Sequence, residues 1–74
     1  MPKIPRITGT DAVKAFKRAG FDVVRITKHH ILAKDGHELH LSIPVHKGKT
    51  IGVGLLKSQI EAAGLTLEQF IDLL

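Results

Sequence analysis

The chain has 74 residues, 43% of them apolar, and its 11 lysines and arginines outnumber 7 acids for a formal charge of +4, which favours anionic partners such as nucleic acid. A chain this short makes one domain over residues 1–74 that buries roughly 60% of its unfolded surface, so it supports one core, excludes a large internal cavity and confines any site to a surface groove. The absence of cysteine removes disulfides, thiolate nucleophiles and thiolate metal sites, and with no apolar run near the ~20 residues of a membrane span and no signal-peptide pattern, a cytoplasmic protein is expected.

The opening MPKIPRI carries two prolines and reads as an extended arm. Thr8-Gly9-Thr10-Asp11 then has the hydroxyl-x-x-acid form of a capping box, with the acid at the positive end of a helix dipole. Ala12, Val13, Phe16 and Ala19 follow at helical spacing, while Lys14, Lys17 and Arg18 take the other face. Gly20 stands where a left-handed residue ends a helix, and Phe21 beyond it can fold back on Phe16.

Three strand-like runs come next. Phe21 to Thr27 is rich in β-branched residues, and His29 to Ala33 is short and mostly apolar. Asp35-Gly36 is a hairpin signal. From Glu38 to Val45 the pattern alternates, with Leu39, Leu41, Ile43 and Val45 on one face and Glu38, His40 and Ser42 on the other. Pro44 implies that this strand ends there or lies at an edge. A second helix is predicted over roughly Gly52 to Ala63, stopped by Gly64 with Leu65 against Ile60. Thr66 and Gln69 then form a second capping box, with Leu65 and Phe70 as its hydrophobic staple. The expected fold is α+β: helix, three-stranded antiparallel sheet, helix and short C-terminal helix, with the helices on one face of the sheet.

All five histidines fall between His29 and His46, and lysines border that stretch. Histidine takes and gives protons near neutrality, its free pKa being about 6.5. RNA is cut without a metal when a base removes the 2′-hydroxyl proton, an acid protonates the leaving oxygen and cations steady the phosphate. Lys28, His29, His30, His46, Lys47 and Lys49 supply those types. Solvated polar residues on strands are the competing reading. A zinc site at His29-His30 or His37-x-x-His40 is disfavoured, because strand alternation sends each pair to opposite faces and no acidic cluster completes it. His37 and His40 are expected at the surface. The glycines at 48, 52 and 54 lack the pattern of a phosphate loop. Phe16, Phe21 and Phe70 all read as core or cap residues, so aromatic base stacking is not expected.

In order and spacing, KRAGF (17–21), HHIL (29–32), the DG turn, IPVHKGK (43–49) and GLLKSQIEAAGLTLEQF (54–70) resemble the HicA (YcfA-like) toxins of toxin–antitoxin systems. That resemblance covers about Thr8 to Phe70. It implies a double-stranded-RNA-binding-like fold and an mRNA interferase that cleaves without metal or other cofactor and is neutralised by a HicB-like antitoxin. The family's catalytic histidine follows Gly-Ser at the start of the second strand, a position that falls here on His29. Thr27-Lys28 replaces Gly-Ser, and the lost glycine would have let a phosphate approach the backbone closely. His46 matches the family's Pro-x-His loop, as a second proton carrier or phosphate contact. Lys28, His30, Lys47 and Lys49 complete the expected RNA-binding set. Alternation pairs His29 with Ile31 and Ala33, and His30 with Leu32 and Lys34, leaving open which face is buried. Two other readings stand beside the nuclease: a non-catalytic RNA-binding module of the same fold, and a protein whose basic groove mainly receives an acidic antitoxin. Exposed sheet edges allow dimers without requiring them.

Overall fold

The computed structural model describes residues 3–74, so Met1 and Pro2 of the expected arm lie outside the described residues. The elements run α1 (Gly9–Arg18), β1 (Asp22–Ile26), β2 (His29–Ala33), β3 (Leu41–Pro44), α2 (Val53–Ala62) and α3 (Leu67–Asp72). The sheet is antiparallel with order β1-β2-β3. This is the expected α-β-β-β-α order with a short helix appended.

The helix boundaries are set by local chemistry. The Thr8 hydroxyl accepts the Asp11 N–H at 3.2 Å and caps α1. At its far end Phe21 N–H donates to the Phe16 carbonyl (3.1 Å) and Gly20 N–H to the Lys17 carbonyl (3.0 Å). These are the paired bonds of a Schellman stop, and Gly20 supplies the positive φ of 103° that the stop needs. The same pair recurs at Gly64 and Leu65, whose N–H groups reach Glu61 and Ile60. α3 opens on a complete capping box, Thr66 with Gln69.

Phe16 lies at the centre of the core, its ring 6.2 Å from Phe21 and 5.0 Å from Phe70. All three rings are buried together with Leu32, Leu41, Ile43, Ile51, Leu56 and Ile60. Burying each ring is worth about 1.5–3 kcal/mol. Leu65 packs against the same cluster from the α2–α3 junction. Arg18 donates to the Leu73 carbonyl, tying the end of α1 to the end of α3.

The third strand is shorter than its alternation predicts. Residues 38–40 lie outside the ladder, and Leu39, expected on one face with Leu41 and Ile43, is 57% exposed while those two are buried. The Asp35-Gly36 turn explains this. His37 N–H donates to the Lys34 carbonyl, with a positive φ at Gly36 but not at Asp35. That matches a type II turn, whereas the mirror-image turns that close a two-residue hairpin need a positive φ at the first central residue, here Asp35. The strands therefore splay after Ala33, and pairing resumes only at Leu32↔Leu41.

β1 contains a bulge. Val23 opposes Leu32 and Arg25 opposes Ile31, so Val24 is the extra residue. Residues three apart on a regular strand point to opposite faces. The bulge turns both Val23 and Ile26 toward the helix side, in register with Leu32 and His30.

Candidate functional site

The register decides which histidine faces the core. His30 lies opposite Ile43 and Ile26, and its strand neighbour Leu32 is fully buried, so His30 belongs to the helix-covered face. His29 and Ile31 belong to the open face. His29 is exposed and His30 half-buried.

The β1–β2 hairpin presents Lys28 and His29 at its tip. Thr27 N–H donates to the His29 carbonyl at 2.9 Å. The Thr27 hydroxyl is 3.4 Å from both the His29 carbonyl and the His29 N–H. Thr27 and Lys28 do this without positive φ, so the turn needs no glycine where the resemblance expects one. The threonine side chain instead occupies space that Gly would leave empty.

His29 pairs with Pro44. His46 follows two residues later, which holds the α-carbons of His29 and His46 within about 13 Å of each other. The loop carrying His46 is closed twice. Lys49 N–H donates to the His46 carbonyl at 3.1 Å across Gly48, whose φ is 74°. Beyond it Thr50 bridges to Thr8, and Ile51 N–H reaches the Ile7 carbonyl at 2.8 Å. His46, Lys47 and Lys49 are thereby exposed on a short, tethered loop beside the hairpin tip. The loop leads into α2, whose N-cap, Gly52, makes no side-chain capping bond. Its first N–H groups add positive potential to the same end of the molecule.

His30 enters a different feature, a groove of about 300 Å³ between α1 and the β1–β2 hairpin. Val13, Val23, Ile26 and Val45 form its apolar walls, while Thr10, Lys14, Lys17 and His30 supply the polar groups. Periodicity places Lys14 and Lys17 only on the face of α1 opposite Ala12, Val13, Phe16 and Ala19. Their three-residue spacing already places them on one stripe, but nothing local says that the stripe borders a groove.

His37 corrects its expectation. It is half-buried rather than a surface residue, with its ring 5.3 Å from Phe21 and edge-on to it. Its Nε2 lies 2.6 Å from the Ala62 carbonyl. A carbonyl only accepts, so Nε2 carries the proton. His37 thus pins the hairpin loop to the end of α2. His40 is exposed, as expected. Among the described residues no three His, Asp or Glu side chains are grouped as metal ligands, and no helix of the described residues is long and apolar enough to cross a membrane.

The arrangement therefore offers two exposed imidazoles and three lysines at one end of a small sheet, with a cationic groove around the corner. Searches of curated proteins and of solved structures returned no match. The family model for the HicA toxin of bacterial toxin–antitoxin systems matches residues 9–65, from the first turn of α1 to the end of the α2 stop, and the chain belongs to that family.

Proposed function

We propose that this HicA-family toxin is an mRNA endoribonuclease that works without a metal in the cytoplasm and is silenced by a HicB-like antitoxin. The observation that supports this reading is the β2–β3 register, which sets His29 opposite Pro44, two residues before His46. One imidazole removes the 2′-hydroxyl proton, and the freed oxygen attacks phosphorus. The P–O5′ bond breaks, the second imidazole protonates the departing oxygen, and a 2′,3′-cyclic phosphate remains. His29 takes one of these roles and His46 the other, or His46 contacts the phosphate. Lys28, Lys47 and Lys49 neutralise the phosphate charge.

The test is incubation of the protein and a His29→Ala variant with mRNA in excess EDTA. The expected outcome is cleavage by the wild type alone. Equal cleavage by both removes His29 from the mechanism, and loss of wild-type cleavage in EDTA reinstates a metal. The second reading, a non-catalytic RNA-binding module, draws on Thr27-Lys28 standing where the family carries Gly-Ser. It predicts salt-dependent binding that survives His29→Ala, with the RNA left intact.

A further inference from the structure

The groove between α1 and the β1–β2 hairpin has no part in the proton transfers above. We propose that it is a nucleotide subsite, holding one base of a single-stranded RNA against its aliphatic walls and an adjoining phosphate on Lys14 and Lys17. The inference rests on the RNA-directed reading and adds to it a place where one base position is read.

Size comes first. About 300 Å³ is at the small end of ligand pockets, which run from roughly 300 to 1,000 Å³. That suits one nucleotide. The three phenylalanines are buried in the core, so no aromatic platform receives a base. The groove instead offers Val13, Val23, Val45 and, at its mouth, Ile26, which is 65% exposed. The bulge at Val24 turns both Val23 and Ile26 this way. The polar lining is cationic or neutral, and no carboxylate shares it. A charged anion on an apolar body fits that lining, and a nucleotide is such a body. His30 adds one donor and one acceptor when neutral, a match for the edge of a base.

His30 pairs with Ile26 directly behind the hairpin tip. An RNA strand leaving the groove rounds Thr27 and Lys28 and meets His29 on the other face. The groove and the cutting site thus lie on consecutive stretches of one strand.

The test uses the full chain and two short probes that cannot be cut. One is a 2′-O-methyl oligoribonucleotide, and the other is the same backbone without bases. Binding is followed by fluorescence anisotropy, and the methyl resonances of Val13, Val23, Ile26 and Val45 by NMR. The expected result is at least about fivefold tighter binding of the base-bearing probe, from the apolar area its base buries, with those methyls shifting for that probe only. Ile26→Asp, at an exposed position, abolishes the preference, whereas Lys14→Ala with Lys17→Ala weakens both probes alike. Equal, salt-sensitive binding of both probes with unmoved methyls overturns the subsite and leaves the RNA reading standing. No binding of either probe at low salt overturns both. Methyl shifts on adding an acidic protein partner, with none on adding RNA, overturn the nucleotide assignment in favour of a protein-docking groove.

Discussion

A β-carbon placed on Gly9 would overlap the carbonyl oxygen of Pro44 and crowd the Cα of Val45. The first turn of α1 and the end of β3 therefore meet backbone to backbone, at the end of the sheet that carries His29 and His46. This contact holds the His46 loop against the helix start, and it depends on the absence of a side chain.

Gly9→Ala tests that contact. Alanine normally stabilises a helix by about 0.5–1 kcal/mol over glycine. Here overpacking is expected to outweigh that gain, for a net loss of about 1–2 kcal/mol. Thermal unfolding should show a fall of roughly 4–8 °C per kcal/mol in a domain of this size. A rise in Tm would mean that the two backbones are not in contact.

His37→Ala separates a structural histidine from the proposed catalytic ones. It removes the hydrogen bond to the Ala62 carbonyl and the edge-on contact with Phe21, at an expected cost of about 1–2 kcal/mol. His40→Ala, at an exposed position, should stay within about 0.5 kcal/mol. Urea titration gives both values, and neither variant should lose RNA cleavage per folded molecule.

Gln59 guards the outer edge of the sheet. Its side-chain oxygen accepts the N–H of Ser42 on β3 at 3.0 Å, where an edge strand would otherwise present an unpaired donor. Gln59→Ala should cost about 1 kcal/mol. The Ser42 amide should also exchange faster with solvent, read by NMR, while the Leu32 amide in the central strand is little changed.

Lys28, Lys47 and Lys49 are expected to act as phosphate contacts and not as proton carriers. Replacing all three with alanine should reduce the slope of log affinity against log salt by up to about 2, at roughly 0.7 per contact on a single strand. The fold should be unaffected, since all three are exposed. An unchanged slope would remove them from the RNA path.

The start of α1, the stops of α1 and α2 and the start of α3 were legible in the sequence, because each rests on neighbours a few residues apart, whereas the start of α2 at Gly52 has no side-chain cap to mark it. Thr8 caps with Asp11, Gly20 and Gly64 turn left-handed, and Thr66 pairs with Gln69. The burial of Phe16 followed from helical spacing, and that of Phe21 and Phe70 from their places at a helix stop and in a hydrophobic staple. The third strand was legible only in part. Its alternation from Glu38 is real, but pairing also depends on the twist of the preceding turn, and Asp35 does not take the positive φ that would align the strands.

The candidate site divides along the same line. Residue chemistry alone pointed to Lys28, His29, His30, His46, Lys47 and Lys49, and the order and spacing of short motifs to a small basic α+β domain resembling the HicA toxins. Tertiary structure decided that Leu32 is the buried member of β2, and with it that His29 faces outward while His30 enters the groove. It also drew His37 inward to Ala62 and made Lys14 and Lys17 the rim of a groove. Alternation in a strand specifies two faces but not which one is covered; the covering helix settles that, from a contact between residues far apart in the chain.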